Sequence, residues 1–407
     1  MPSPNHDLIV FGATSFVGQI VARYLLDQYG VQRGLKWAIA GRSEAKLNAL
    51  RTSLGMKAGR LPMLVADAAD EAALARMCAA TRVVVSTVGP YALYGEPLVR
   101  ACAESGTDYC DLTGEVQWVR RMIGSYEQAA RRSGARIVHC CGFDSIPSDL
   151  GVHFLQRAAQ ERHGQPCVEV KMRVRSARGG FSGGTVASLL NLVEQAARDP
   201  ALRKELADPY SLCPTGYEPR VRQPNVKGPM FDADFDAWAA PFIMSGINTR
   251  VVQRSNALAK QAYGREFRYD EAMLTGRGLK GRLGASAVSA GLAGFVVASA
   301  LPPSRWLLKR VLPEPGEGPS AEAQRTGHFD LRFLGRTAGG DVLRVKVTGD
   351  RDPGYGSTAK MLGQAGACLA EDVADAGGGF WTPATLLGDR LVERLQAHAG
   401  VTFEVID

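Results

Sequence analysis

Among the eight cysteines of this 407-residue chain there is no Cys-x-x-Cys pair. None stands at the His/Cys spacing that zinc sites use, so no metal centre is expected. The start of the chain also lacks a basic region followed by an apolar stretch. Met1 to Asp7 leads directly into an apparent strand at Leu8, so no signal peptide is expected and a reducing cytoplasm with free thiols is the expected setting. Runs of Lys and Arg interleaved with aromatics are missing, which argues against nucleic acid as a partner. There is no Ser/His/Asp order, no nucleophile elbow and no paired-carboxylate constellation, so hydrolase and glycosidase readings lose their support. Hydride transfer needs no protein nucleophile and is untouched by these absences.

What is present fits a globular enzyme. Hydrophobic residues make up 45% and charged ones 22%, close to the soluble average, and the length favours two domains over a single core. The net charge of +7 leaves three attractions open, to phosphates, to acidic carrier proteins and to anionic lipid, beside a merely solvated basic surface.

Leu8 to Phe11 is a short apolar run, followed by Gly12-Ala-Thr-Ser-Phe-Val-Gly18 and then by Ile20, Val21, Tyr24 and Leu25 at helical spacing. This reads as strand, glycine turn and helix. Further strands are expected at Trp37–Ala40, Leu61–Ala66, Val83–Val88, Tyr109–Leu112 and Arg136–Cys140, alternating with helices such as Glu44–Leu54. That alternation specifies an α/β fold, an N-terminal Rossmann doubly wound parallel sheet over 1–150. After Gly151 the pattern changes to period two in Val168–Arg175, Phe329–Leu334 and Val342–Val347. The expectation is a second, α+β substrate domain over 151–348 with a hairpin at Gly339-Gly340, after which 349–407 returns as helices and a strand to the Rossmann domain. Leu283 to Leu301 is uncharged and rich in Ala, Gly and Ser; at about 19 residues it meets the lower bound for a membrane span. A membrane helix, a peripheral lipid contact through 284–311 and a buried or dimer-forming helix all remain open for it.

A dinucleotide turn needs small residues where the chain reverses, where it approaches pyrophosphate and where the helix packs on its strand. Gly12 and Gly18 fit the outer roles and Ser15 stands at the middle one, with Ala13, Thr14, Phe16 and Val17 completing the loop. The Ser15 hydroxyl is a candidate phosphate donor. Strand two ends at Gly41-Arg42-Ser43, with Lys46 a turn further on. An NAD site places a carboxylate here, whereas a 2′-phosphate wants a cation, so Arg42 and Lys46 argue for NADP(H). Asp67 either caps the next helix or meets the adenine. Thr87, Val88, Gly89, Pro90 and Tyr91 are expected at the ligand edge of the sheet, near the nicotinamide-side ribose, with Tyr91 either flanking the ring or packed in the crevice.

These motifs, together with Asp-Leu-Thr-Gly-Glu at 111–115, Gly-Phe-Asp-Ser-Ile-Pro-Ser-Asp-Leu-Gly at 142–151, Ser-Gly-Gly-Thr at 182–185, Gly-Glu-Gly-Pro-Ser at 316–320, Asp-Pro-Gly-Tyr-Gly at 352–356 and Gly-Gly-Phe-Trp-Thr-Pro at 378–383, resemble the saccharopine dehydrogenase-like oxidoreductases. The sequence is most similar to the branch holding the trans-acting enoyl reductases. The departure from the family is Ser15, where Gly is common. The resemblance implies NADPH-dependent reduction of a C=C bond on an acyl chain, small or carrier-bound, in lipid metabolism. Such chemistry needs a hydrogen-bond donor for the enolate and a proton source. Tyr355 is a candidate phenol donor with Lys360 as a nearby cation, against a plain turn opening a helix, and Asp144 and Ser145, expected at the ligand edge of the sheet, are open to catalysis or to capping of the helix at Pro147. Asp111, Thr113 and Glu115 are open to substrate binding or turn formation, and His139 reads as a core residue. An amino-acid or imine dehydrogenase, and a non-catalytic NADP-binding protein on a lipid surface, are the competing readings.

Overall fold

In the computed structural model, residues 4–31, 34–179, 183–218, 221–300 and 318–406 are described. The chain divides into two compact units. The first comprises Met1–Phe143, Gly316–Gly318 and Gly354–Gly400; the second comprises Asp144–Pro315, Pro319–Pro353 and Val401–Asp407.

In the first unit, β1 (His6–Phe11), β2 (Trp37–Gly41), β3 (Met63–Val65), β4 (Thr81–Ser86), β5 (Asp108–Asp111), β6 (Arg136–Val138) and β13 (Gly379–Trp381) form one sheet in the order β13-β6-β5-β4-β1-β2-β3. Every pairing in it is parallel. Val83, Val84 and Val85 are fully buried, as a strand covered on both faces requires. Strand order reverses between β1 and β4, and the ends of those two strands therefore open a crevice.

Five helices connect the strands up to β5: α1 (Phe16–Tyr29), α2 (Glu44–Ser53), α3 (Glu71–Ala79), α4 (Tyr91–Tyr94) and α5 (Glu96–Ser105). The sixth, α6 (Val116–Ser133), leads into β6. The helix Thr358–Glu371 returns to this unit and lies against β4, β5 and α1. Glycine permits that approach: a Cβ at Gly366 would stand 2.5 Å from Val85 Cγ2 and 2.7 Å from Leu8 Cδ1. The seventh strand, β13, was not legible as a strand, since three residues give no period.

The second unit holds β7 (Cys167–Arg178), β8 (Met230–Asp232), β9 (Ala237–Pro241), β10 (Arg268–Gly276), β11 (His328–Thr337), β12 (Val342–Gly349) and β14 (Val401–Ile406). They form a mixed sheet, β14-β12-β11-β7-β10-β9-β8. The expected hairpin is present, β11 and β12 pairing antiparallel around Gly339-Gly340, with Gly340 at φ +93. The last strand differs from expectation. It pairs antiparallel with β12 and so closes the second sheet instead of packing on the first domain. Its alternation of buried Val401 and Phe403 with exposed Thr402 and Glu404 suits a sheet with one solvated face, not a doubly covered parallel one.

The helices α7 (Ile146–His163), α8 (Gly183–Arg198), α9 (Pro200–Ala207) and α10 (Ser245–Leu258) belong to this unit, as does the short helix Ala321–Thr326. The long helix α11 (Gly278–Ala300) follows β10, and only Gly281, Ala285 and Ser299 on it are buried. It is not a core helix of this unit. Of the 284–311 segment, residues 301–311 lie outside the described residues.

One buried carboxyl makes stability pH-dependent. Glu271 on β10 accepts from Tyr269 Oη at 2.6 Å and Asn248 Nδ2 at 3.0 Å. Burial, opposed by hydrogen bonds from Tyr269, Ser148 and Asn248, pushes its pKa up from 4.5 to about 7. Between those values the folded protein holds a proton that the unfolded chain has released, so stability falls as pH rises through the window. The melting temperature is expected to drop between pH 5 and pH 8, and Glu271→Gln to flatten that slope; an unchanged slope in the variant would remove Glu271 as its source.

Candidate active site

The loop between β1 and α1 is built from contacts that tolerate little else. Gly12 has φ +81, and a Cβ there would lie 2.7 Å from Val88 Cγ2 and 2.9 Å from Thr87 Oγ1. Gly18 brings α1 onto the loop, with a Cβ position only 2.3 Å from the Gly12 carbonyl oxygen. Gly18→Ala therefore forces backbone apart, and a loss of roughly 1–3 kcal/mol together with loss of dinucleotide binding is expected. Gly124 on α6 has nothing within 4 Å of its Cβ position, and Gly124→Ala should be neutral or stabilising. Thermal melts and NADPH titration of the two variants check this contrast.

Ser15 is engaged within the loop itself. Its Oγ accepts from Gly18 N–H at 3.0 Å, capping α1, and lies 3.0 Å from Thr87 Oγ1. Thr87 Oγ1 also lies within donating distance of the Gly12 carbonyl, at 2.9 Å, and either hydroxyl can be the donor between the two side chains. Ser15 braces β1 against β4 where a glycine would leave a gap. The anion-binding capacity of the loop then rests on the N–H groups of Phe16 and Val17, which open α1 and have no carbonyl partner within the helix.

At the end of β2, Arg42 is exposed and Ser43 caps α2, accepting from Lys46 N–H at 3.3 Å. Neither Arg42 nor Lys46 has an ion-pair partner among the described residues. Two cations thus stand unneutralised at the strand end where a 2′-phosphate would sit. Asp67 is exposed and accepts from Ala69 N–H at 2.9 Å. The cap of α3 is Asp70, which accepts from Ala73 N–H, so capping, one of the two roles left open for Asp67, belongs to its neighbour.

The segment after β4 divides by depth. Thr87 is buried, while Val88 and Pro90 are half-buried and Gly89 is exposed. Tyr91 is 4% exposed, donates to the Ser86 carbonyl at 2.9 Å and packs on Trp118 at 5.3 Å between ring centroids. Of its two expected positions, the packed one holds. The acidic residues after β5 are likewise occupied. Glu115 accepts from Tyr91 and Ala92 N–H at 2.9 and 3.0 Å. Asp111 accepts from Thr113 and Cys140 N–H, both at 3.1 Å, and stands 2.7 Å from His139 Nδ1. These are turn-forming and capping contacts inside the unit. His139 is buried as expected, and its Nε2 has no hydrogen-bond partner among the described residues.

Tyr355 is fully buried and its ring meets the edge of Phe16 at 4.7 Å and 75°. The Phe16 ring also lies under Gly318, where a Cβ would approach to 2.5 Å. Sequence positions 16, 318 and 355 thus converge on the start of α1, which no local pattern could reveal. Lys360 is half-buried in the first turn of the helix Thr358–Glu371. Thr358 Oγ1 of that turn accepts from Phe143 N–H at 3.0 Å, fixing the backbone just before Asp144. The Asp144 carboxyl is half-buried and burial pushes its pKa up from 3.8 to about 6. Ser145 occupies the cap position of α7 without a capping bond from its side chain; its hydroxyl donates to Asn248 Oδ1 at 3.0 Å.

The residues present fit an NADP(H) dinucleotide: a glycine turn with Gly12 at φ +81, N–H groups at the start of α1 with no partner within the helix, and cations at Arg42 and Lys46 with no ion-pair partner among the described residues. Comparison with known proteins agrees. Residues 8–138 match the saccharopine dehydrogenase NADP binding domain. A Mycobacterium tuberculosis protein named provisionally as a trans-acting enoyl reductase is 44% identical over 98% of this chain and 97% of its own length. A trans-acting enoyl reductase of Mycobacterium bovis is 40% identical over 97% and 96%. Among solved structures, apo saccharopine dehydrogenase from Saccharomyces cerevisiae covers 99% of this chain and 100% of its own at TM-score 0.56 and 11% identity, a likeness of fold. The chain therefore belongs to the saccharopine dehydrogenase-like oxidoreductases, in the branch of the trans-acting enoyl reductases, and its first domain binds NADP(H).

Proposed function

We propose that this protein reduces the C=C bond of an enoyl thioester at the expense of NADPH, as part of lipid metabolism in the cytoplasm. The observation that carries the reading is the unneutralised pair Arg42 and Lys46 beside a glycine cradle, in a chain whose full-length relatives are named for enoyl reduction. NADPH, when bound, supplies a hydride for the β-carbon of the enoyl group. The chain then has two tasks. It must hold the thioester oxygen as charge develops there, and it must deliver a proton to the α-carbon.

We assign the first task to Tyr355 and Lys360, a phenol and an ammonium. Tyr355 is fixed against Phe16. Lys360 is a half-buried cation five residues further on, in the helix Thr358–Glu371. We assign the second task to Asp144, whose pKa of about 6 keeps part of the population protonated near neutral pH, as a general acid requires. The acyl substrate would arrive on a carrier protein or synthase, whose acidic surface suits a chain of net charge +7.

The test is consumption of NADPH with a carrier-bound trans-enoyl thioester. Tyr355→Phe is expected to lower turnover by about 10²-fold, in line with loss of one donor to a developing oxyanion, while NADPH still binds. Full turnover in that variant would release Tyr355 from this role. NADPH binding without turnover of any enoyl thioester would favour the non-catalytic reading.

A further inference from the structure

We propose that α11 and the adjoining edge strand β8 dock this protein on the surface of a bilayer containing anionic lipid. Such docking is independent of the hydride chemistry and involves the second unit alone. An exposed helix ordinarily carries charge on its solvent side. From Leu283 to Ala300 α11 carries none, although Leu283, Ser286, Ala287, Ala290, Gly291, Ala293, Gly294, Val296 and Val297 are all exposed. At 100° per residue these positions cover more than half of the helix circumference. A partner helix or sheet would cover a stripe of roughly 100°, so the breadth of the exposed arc suits a surrounding solvent of lipid better than a single protein face.

The base of the helix carries a second, independent signature. From Ala272 to Ala300 the chain has Arg277, Lys280 and Arg282 and no acid; Arg277 is paired with Asp236 at 2.9 Å, which leaves Lys280 and Arg282 without an ion-pair partner among the described residues. Arg282 lies over the Trp238 ring at 5.5 Å, and Trp238 meets Phe231 edge-on at 6.0 Å. Phe231 on β8 is 48% exposed, Leu279 71% and Leu283 61%. Half-exposed aromatics beside bases, at one end of an uncharged apolar helix, are the arrangement that settles at a headgroup layer. The rings sit at the boundary, the cations meet lipid phosphates and the apolar face enters the acyl region.

By length and composition alone α11 could cross a membrane, but its first turns are bound along the sheet. A Cβ at Gly281 would stand 2.1 Å from the Gly276 carbonyl oxygen and one at Gly284 3.3 Å from Thr275 Cβ, and Thr275 Oγ1 donates to the Gly281 carbonyl at 2.8 Å. A helix held in this way lies on a bilayer and does not thread it.

Flotation of the full chain with vesicles of phosphatidylcholine, with and without phosphatidylglycerol, tests this. The protein should float with the anionic vesicles, weakly or not at all with the neutral ones, and less at high salt. Lys280→Glu with Arg282→Glu should weaken the association by on the order of 10-fold or more. Leu283→Asp with Val297→Asp should abolish it, while thermal melts of both double variants, altered only at exposed positions, stay close to the parent. Absence of flotation, or equal flotation with neutral vesicles, would overturn the proposal. So would a parent protein that ignores vesicles but dimerises by light scattering and becomes monomeric with Leu283→Asp and Val297→Asp; that result would give the face to a second copy.

Discussion

Arg42→Ala is expected to weaken NADPH binding by roughly 10- to 100-fold and to leave NADH binding nearly unchanged, since a charge-assisted hydrogen bond to phosphate is worth about 1.5–3 kcal/mol. Arg42 is exposed at the end of β2 and no carboxylate among the described residues neutralises it, so its charge is available to a ligand. Removing it takes nothing from the fold, because the Ser43 cap and the buried Leu47 and Leu50 hold α2 in place. Calorimetric titration of both dinucleotides measures the effect directly. An equal loss for NADH would mean that Arg42 meets a feature common to both ligands, and would refute its role in reading the 2′-phosphate. Lys46→Ala should show the same selectivity with a smaller loss, because a lysine contacts phosphate as a point charge where arginine can engage two oxygens.

Asp144→Asn is expected to cut enoyl reduction by roughly 10²- to 10⁴-fold, the usual span for loss of a general acid, with NADPH binding retained. The parent rate should fall as pH rises through about 6, because only the protonated carboxyl can give a proton, and that limb should vanish from the residual activity of the variant. The substitution should move stability the opposite way. With a folded pKa raised from 3.8 to about 6, the Asp144 carboxylate disfavours the folded state above pH 6, and this penalty fades as pH falls from about 6 to 4. Asp144→Asn should therefore gain up to about 3 kcal/mol at pH 7, since a tenfold change in proton affinity corresponds to about 1.4 kcal/mol. Loss of activity together with this gain marks a group kept for function; a variant that is less stable and inactive would mark Asp144 as a structural residue.

Much of this was present in local sequence. The apolar runs at Leu8–Phe11 and Val83–Val85, separated by helical spacing, specify parallel strands, because burial on both faces leaves no alternation to read. Gly12 and Gly18 announce the loop, because only a missing Cβ allows a positive φ in one case and a 2.3 Å approach to backbone in the other. Arg42 follows from its place at the end of a strand. These are properties of neighbours in sequence, and the family resemblance rests on the same stretches.

Other features required the folded chain. Whether Ser15 serves phosphate or braces the loop depended on Thr87, 72 residues away. That Asp70 and not Asp67 caps α3 is decided only once the first turn of that helix is placed. Asp111 and Glu115, open from sequence to substrate binding or turn formation, are buried acceptors for backbone N–H groups. Tyr355 gained its place beside Phe16, and β14 its place beside β12, from contacts whose partners lie far apart in the chain. Sequence alone determined the cofactor domain, the strand period and the glycine cradle, since each is fixed by the chemistry of adjacent residues. Tertiary structure decided which polar groups remain free for a ligand, because hydrogen-bond capacity is consumed by whichever partner the fold brings within about 3 Å.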